Sequence, residues 1–298
     1  MSKSTKIILI ILLVLAGIYA LQQITSHTST TESRKLFASI DTSKVDSILI
    51  NQENVISLAR TAVGWKISRP VDYPADAGAV NLLLSKFNSS IKGIVVAEHL
   101  SDTTAYGLGG KAVTLSLAGK SGKIIEMLVG NATPDFSGCY VQVKGYPQVF
   151  EIPENLRSAI LRTVNEWRSK QIFSFSFSDI KAGNFSIGDT LYQFVRIDTT
   201  WQLNKRKVSN EVVEGIFTEL IGLSAIDFVD SLTGIDHKPS IEYSIALNNN
   251  ANVSGEIFRT STNTCLSSSA SRTTFVISPS FIDSFKNELI KASQEEQD

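Results

Sequence analysis

The strongest constraint on the fold is a repetition. Residues 199–217, TTWQLNKRKVSNEVVEGIF, rewrite residues 63–84, VGWKISRPVDYPADAGAVNLLL. In each copy a tryptophan, Trp65 or Trp201, follows an alternating run: Val55, Ser57 and Ala59 against Ile56 and Leu58, then Tyr192, Phe194 and Arg196 against Val195 and Ile197. Alternation of this kind predicts half-buried strands. Asp76 and Ser209, both favoured N-cap residues, each stand four positions before a valine and predict a helix start. Val80, Leu83, Leu84 and Phe87 then recur as Val213, Ile216, Phe217 and Leu220, the spacing of a helix that buries one face.

The correspondence continues along the chain. Residues 91–98 parallel 223–230, Gly107-Leu108 parallels Gly234-Ile235, and the strand Val113, Leu115, Leu117 parallels Ile241, Tyr243, Ile245. Residues 149–152 then match 274–277, each followed by a proline-containing start of a short closing helix. The offset falls from 136 at the tryptophans to 125 at Phe150 and Phe275, as deletions confined to turns would produce. Each copy reads as an α+β unit of mostly antiparallel sheet packed with one main helix. The expected division is an N-terminal segment 1–24, a polar linker 25–35, a first unit 36–168 and a second unit 169–298 that ends in a short frayed tail. Phe173, Phe175 and Phe177, alternating with serines, are expected to open the second unit as a strand.

Ahead of the units, Lys3 and Lys6 precede the uncharged run 7–21, IILIILLVLAGIYAL. Fifteen residues of helix cover about 22 Å, short of the roughly 30 Å hydrocarbon core unless neighbours contribute and Lys6 snorkels. An uncleaved single-pass anchor in the lipid bilayer and a cleaved signal peptide both fit, and the small-residue cleavage pattern is poor. Under either reading the rest is exported, because positive charge ahead of the first span stays in the cytoplasm. The 28 basic and 29 acidic residues nearly cancel, and no basic block is interleaved with aromatics, which sets nucleic-acid binding aside.

Few residues invite chemistry. His99 and His237 have no metal ligand at useful spacing, no catalytic motif occurs, and neither cofactor nor metal is expected. Asp72, Asp76 and Asp102 fit capping and turns better than an acid pair or a calcium site. Cys139 and Cys265, 126 apart, fall at matching places of the two copies. They read more readily as two separate strand cysteines than as a disulfide. Trp65 and Trp201 read as anchors between sheet and helix, with stacking on a sugar or lipid as the rival. Copy one carries the richer loops: the segment DYPA at 72–75, and the aromatic connection at 131–147 whose counterpart is poor in aromatics. Loops carry function when a scaffold positions them. The candidate partner-binding residues are therefore Tyr73, Pro74, Tyr106, Tyr140 and Tyr146.

The block Trp65, Pro70, Tyr73, Pro74, Ala75, Asp76, with Tyr106-Gly107-Leu108, MLVG at 127–130, CYVQVKGYPQVFEI at 139–152 and WRSKQIFSF at 167–175, resembles a bacterial family known as domain of unknown function 4340. The resemblance covers about residues 40–180 well and the second half more loosely. It departs from the family after Tyr-Gly-Leu, where GGKA replaces the usual proline. The resemblance implies a protein of the bacterial inner membrane, single-pass, with its α+β region in the periplasm, accompanying ABC-type transporters of the gliding-associated kind. It carries over no catalytic residue. The expected function is a non-enzymatic accessory or scaffold whose partners are a membrane transporter or other envelope proteins. The alternative is a periplasmic binding module for an envelope glycan or lipid, which should display a tryptophan-lined apolar pocket.

Overall fold

The computed structural model describes residues 34–99, 104–110, 112–229 and 238–294. The apolar run 7–21, Asp102, Gly234, Ile235 and His237 lie outside the described residues. Among those described, no helix is long and apolar enough to cross a membrane. The chain forms two compact units that divide between Trp167 and Arg168.

The first unit runs β1 (Arg34–Phe37), β2 (Ser47–Asn51), β3 (Val55–Thr61), β4 (Gly64–Arg69), β5 (Tyr73–Pro74), α1 (Ala77–Ser85), β6 (Ile91–Ala97), β7 (Val113–Gly119), β8 (Gly122–Ala132), β9 (Cys139–Val143), β10 (Val149–Ile152), α2 (Leu156–Ile160) and α3 (Val164–Trp167). The second runs β11 (Ile180–Ile187), β12 (Thr190–Ile197), β13 (Thr200–Leu203), β14 (Arg206–Val208), α4 (Asn210–Ile221), β15 (Asp227–Val229), β16 (Pro239–Leu247), β17 (Asn252–Arg259), β18 (Thr264–Ser268), β19 (Thr274–Ile277) and α5 (Phe281–Gln294). The first sheet is ordered β1-β6-β10-β9-β8-β7-β2-β3-β4-β5 and the second β14-β13-β12-β11-β16-β17-β18-β19-β15. Without β1, and read from its other edge, the first order becomes the second with every strand number raised by nine. The repeat is therefore one of topology as well as residue type, and the fold is α+β throughout.

The main helices form where capping and periodicity place them. Asp76 accepts from the Ala79 amide at 2.6 Å and Ser209 from the Val212 amide at 3.2 Å, each satisfying an orphan donor of the first turn. Val80, Leu83, Leu84 and Phe87 are buried in one unit, Val213, Ile216, Phe217 and Leu220 in the other. Their sheets offer complementary space. In β2, Ile48 pairs with Leu58 and Leu117; at the same rung of β11, Gly183 pairs with Phe194 and Ile245. A Cβ on Gly183 would stand 2.5 Å from the Phe217 ring, so the missing side chain makes room for the helix phenylalanine. At the corresponding positions copy one carries Ile48 and the smaller Leu84, both buried.

Three expectations need correction. Phe173, Phe175 and Phe177 do not form a strand; the only pairing there is an isolated bridge between Gln171 and Ser224. Their alternation serves packing, with Phe173 against Tyr243 and Phe177 stacked on Trp201, and a short turn at Phe177–Asp179 ends the extension. The closing helix is short only in copy one; α5 has 14 residues and buries Phe281, Ile282, Phe285, Leu289 and Ala292. The cysteines are not equivalent either. Cys139 pairs with Ile152, whereas in the second sheet Thr264 pairs with Ile277 and Cys265 falls one rung further on.

The tryptophans share a register, Trp65 opposite Arg60 and Trp201 opposite Arg196, but not a cover. Trp201 is buried against Phe177 and Phe217, tying sheet to helix, while Trp65 is half-buried under the Arg60 guanidinium at 4.7 Å. Both arginines reach back to the short turn just before the strand next to their own, β2 in one unit and β11 in the other. Arg60 donates to the Val45 and Thr42 carbonyls at 2.8 and 2.9 Å, and Arg196 to that of Ser178 at 3.4 Å.

Candidate functional site

The five candidate residues do not converge. Tyr73 and Pro74 are strand β5 itself, at one edge of the first sheet, opposite Ile67 and Lys66. Proline belongs on an edge, where its missing N–H removes no internal ladder bond. The segment then passes directly into the cap of α1, with the Ala75 amide donating to the Trp65 carbonyl and the Asp76 amide to that of Trp167, both at 2.8 Å. Tyr146 lies in the β9–β10 loop, half-exposed, its ring edge-on to Phe150 at 6.2 Å.

Tyr106 and Tyr140 do meet. Their rings stand 5.1 Å apart at 68°, and the Tyr106 hydroxyl donates to the Val96 carbonyl at 3.2 Å. The Tyr106 loop is wedged onto β8, its carbonyl accepting from the Asn131 amide at 2.8 Å. Gly107 has φ of 67° and would carry its Cβ 2.3 Å from the Asn131 side chain, so the glycine of Tyr-Gly-Leu is required there. Leu108 is buried behind it. Burial, reinforced by Glu151 and Asp135, raises the Tyr140 hydroxyl above the ordinary tyrosine range. The Tyr140 ring contributes packing against Tyr106.

Beside Tyr140 lies a feature that sequence reasoning missed. The β8–β9 loop, residues 133–138, is closed by the Thr133 amide donating to the Gly138 carbonyl at 3.0 Å and the Gly138 amide donating to Thr133 Oγ1 at 2.9 Å. Asp135 braces it from inside, accepting from the Thr133 and Ser137 hydroxyls at 2.6 and 2.8 Å. Those bonds hold its carboxyl down from 3.8 to about 2. At the tip, Phe136 is held at φ of 60° with 74% of its surface exposed, and its carbonyl accepts from the Asn155 side chain at 3.1 Å. In copy two the same closure joins Thr260 and Asn263 at 2.8 and 3.0 Å, with two residues fewer and no aromatic. The one signal in the sequence was the length difference between TPDFSG and TSTN within otherwise matching hairpins.

On another side of the first unit, a cleft of about 870 Å³ lies between the β2–β3 turn, the start of β7 and the helices α2 and α3. Gln52, Asn54, Arg157, Arg162, Thr163 and Glu166 line it; neither expected tryptophan does. Much of its polarity is committed. Arg157 donates to the Gly130 carbonyl at 2.8 Å, Gln52 to that of Arg162 at 3.2 Å, and Glu166 accepts from the Thr163 amide at 2.6 Å.

Both cysteines are free and buried, and burial pushes both thiols up. Cys139 donates to the Glu154 carbonyl at 3.2 Å. Such thiols stay protonated and weakly nucleophilic at neutral pH. His99 is exposed at the end of β6. Among the described residues no group of three or more His, Cys, Asp or Glu is arranged to hold a metal ion.

The family model for a domain of unknown function, DUF4340, matches residues 65–241. The chain belongs to that family. The match opens on Trp65 in β4 and closes on Ile241 in β16, so DUF4340 here spans the junction of the two units and takes in both main helices. Comparison with curated proteins and with solved structures gives no match.

Proposed function

We propose that the chain is a non-enzymatic, membrane-anchored accessory or scaffold protein facing the cell envelope, and that it serves an ABC-type transport system. The observation that carries this reading is the asymmetry of the two units. Among the described residues copy one carries the edge-to-face pair Tyr106 and Tyr140 and the braced loop bearing Phe136, whereas the matching hairpin of copy two closes with two residues fewer and no aromatic. A scaffold duplicated in its core and elaborated at one set of loops suits protein recognition, because rigid elements position loops for binding. The apolar run 7–21 supports anchoring in the bacterial inner membrane with the folded units in the periplasm.

Crosslinking of the full chain in native membranes, followed by detergent extraction and identification of neighbours, tests the reading. The expected result is release by detergent alone, with transporter subunits among the neighbours and their loss when Tyr140 is replaced by serine. Release by a salt wash, or no membrane protein among the neighbours, overturns it.

The cleft of about 870 Å³ favours a second reading, a binding module for an envelope ligand. Its amide and guanidinium lining suits a glycan more than a lipid. Calorimetric titration with soluble peptidoglycan fragments should then give heat that Asn54→Ala removes.

A further inference from the structure

A phenylalanine kept in the left-handed region and turned to solvent is doubly unfavourable, since the backbone is strained and the ring gains nothing from burial. Bonds from Thr133, Asp135, Ser137, Gly138 and Asn155 brace the loop that holds Phe136 there. Copy two closes the same hairpin without such a residue, so the hairpin itself does not require it.

The first unit also holds a recess of fitting chemistry. About 310 Å³ in volume, it is walled by Leu36, Ile40, Ile124, Ile125 and Val143. Lys123 and Lys144 line it as well, and both pair with the single carboxylate of Glu126. Two ammonium groups against one carboxylate leave one positive charge at the recess. Asp135, beside Phe136, carries the complementary negative charge.

Geometry prevents one molecule from filling its own recess. The loop stands at one end of the β8–β9 ladder, beyond Ala132 and Cys139, and the recess at the other, by Lys123 and Lys144. Nine residues of β8 separate Lys123 from Ala132, roughly 30 Å at strand rise. We propose that Phe136 of one copy seats in the recess of a second copy, with Asp135 facing Lys123 and Lys144, so that chains associate head to tail.

Such a contact is heterologous: each copy donates a loop and offers a recess, and the association propagates unless it closes into a ring. It is also small against the roughly 1,600 Å² of a standard interface, so it is weak in dilute solution and forms where the chain is concentrated. It does not depend on the accessory role proposed above.

Sedimentation velocity of the full chain in excess detergent, across a concentration series, tests this. Wild type should form species larger than a dimer as concentration rises. Phe136→Asn, which keeps the left-handed backbone, and Ile124→Asp, which puts a charge into the recess, should each lower association at least tenfold. Both should unfold cooperatively, and Phe136→Asn should melt no lower than wild type. Mixed in equal amounts, the two variants should give dimers and nothing larger, because one intact loop then meets one intact recess. A monomer at every concentration, association unchanged by either variant, or a mixture that stays monomeric overturns the proposal. The first outcome would assign the ring to a different protein or to lipid.

Discussion

The two units use one strand plan and solve its packing differently. Where the first carries buried Ile48 on the strand and Leu84 on the helix, the second sets Gly183 beneath Phe217 and surrounds that ring with Phe177, Phe185, Phe194 and Trp201 at 5.5 to 6.0 Å. A glycine facing a phenylalanine in one copy stands where two aliphatic side chains of intermediate size stand in the other, as close packing at a fixed spacing would require. At the strand ends the rule reverses. The β8–β9 and β17–β18 hairpins close with the same threonine bonds, yet one carries two more residues and an exposed ring. Core volume constrains both copies alike; loop tips are where they part.

The sharpest way to break the comparison is to empty the second core. Phe217→Ala should cost about 4 kcal/mol in denaturant unfolding of the second unit, while Leu84→Ala should cost about 3 kcal/mol in the first, the difference following the lost volume. Next is an exchange between copies. Gly183→Ile should destabilise the second unit by about 3 kcal/mol, since the new side chain meets the Phe217 ring. Adding Phe217→Leu should recover most of the loss, and a double-mutant cycle reads the coupling.

Smaller effects test the loop. Phe136→Asn should raise stability by about 1 kcal/mol in thermal unfolding, because asparagine tolerates the left-handed backbone better. No such gain is expected at Asn250, where φ is 64° and an asparagine is already in place. The smallest effect concerns acid. The Asp135 carboxyl is depressed from 3.8 to about 2 in the folded protein, so its stabilising contribution is complete above the unfolded value and disappears as pH falls from near 4 to 2. Wild type should exceed Asp135→Asn in melting temperature at pH 5 and lose that margin by pH 2.

The two main helices and the strands around each tryptophan were legible because burial imposes a period on the residues, and both copies kept it, whereas β2, β8, β11 and β17 were not read. Sheet order was not legible, since which strands pair is decided by long-range contacts. The phenylalanine run at 173–177 misled because rings spaced by two can fill a core from an irregular segment as readily as from a strand. Aligning Cys139 with Cys265 failed by a single rung, which is enough to exchange the faces of a sheet. Of the candidate site, Tyr106 and Tyr140 were reachable through their setting, the glycine between Tyr106 and Leu108 marking a tight approach. Phe136 was not, because neither a dihedral angle nor exposure is written in the identity of one residue. The readable part was the two extra residues of TPDFSG over TSTN.

Strand β1 has no full counterpart in the second unit, where one bridge at Gln171 stands in its place. It is the outermost ribbon of the first sheet and the first element of the described chain, held to β6 by a short and irregular ladder at Arg34, Lys35 and Phe37. Removing β1 is therefore expected to leave the nine-strand plan shared by both units intact, read as cooperative unfolding of the shortened chain.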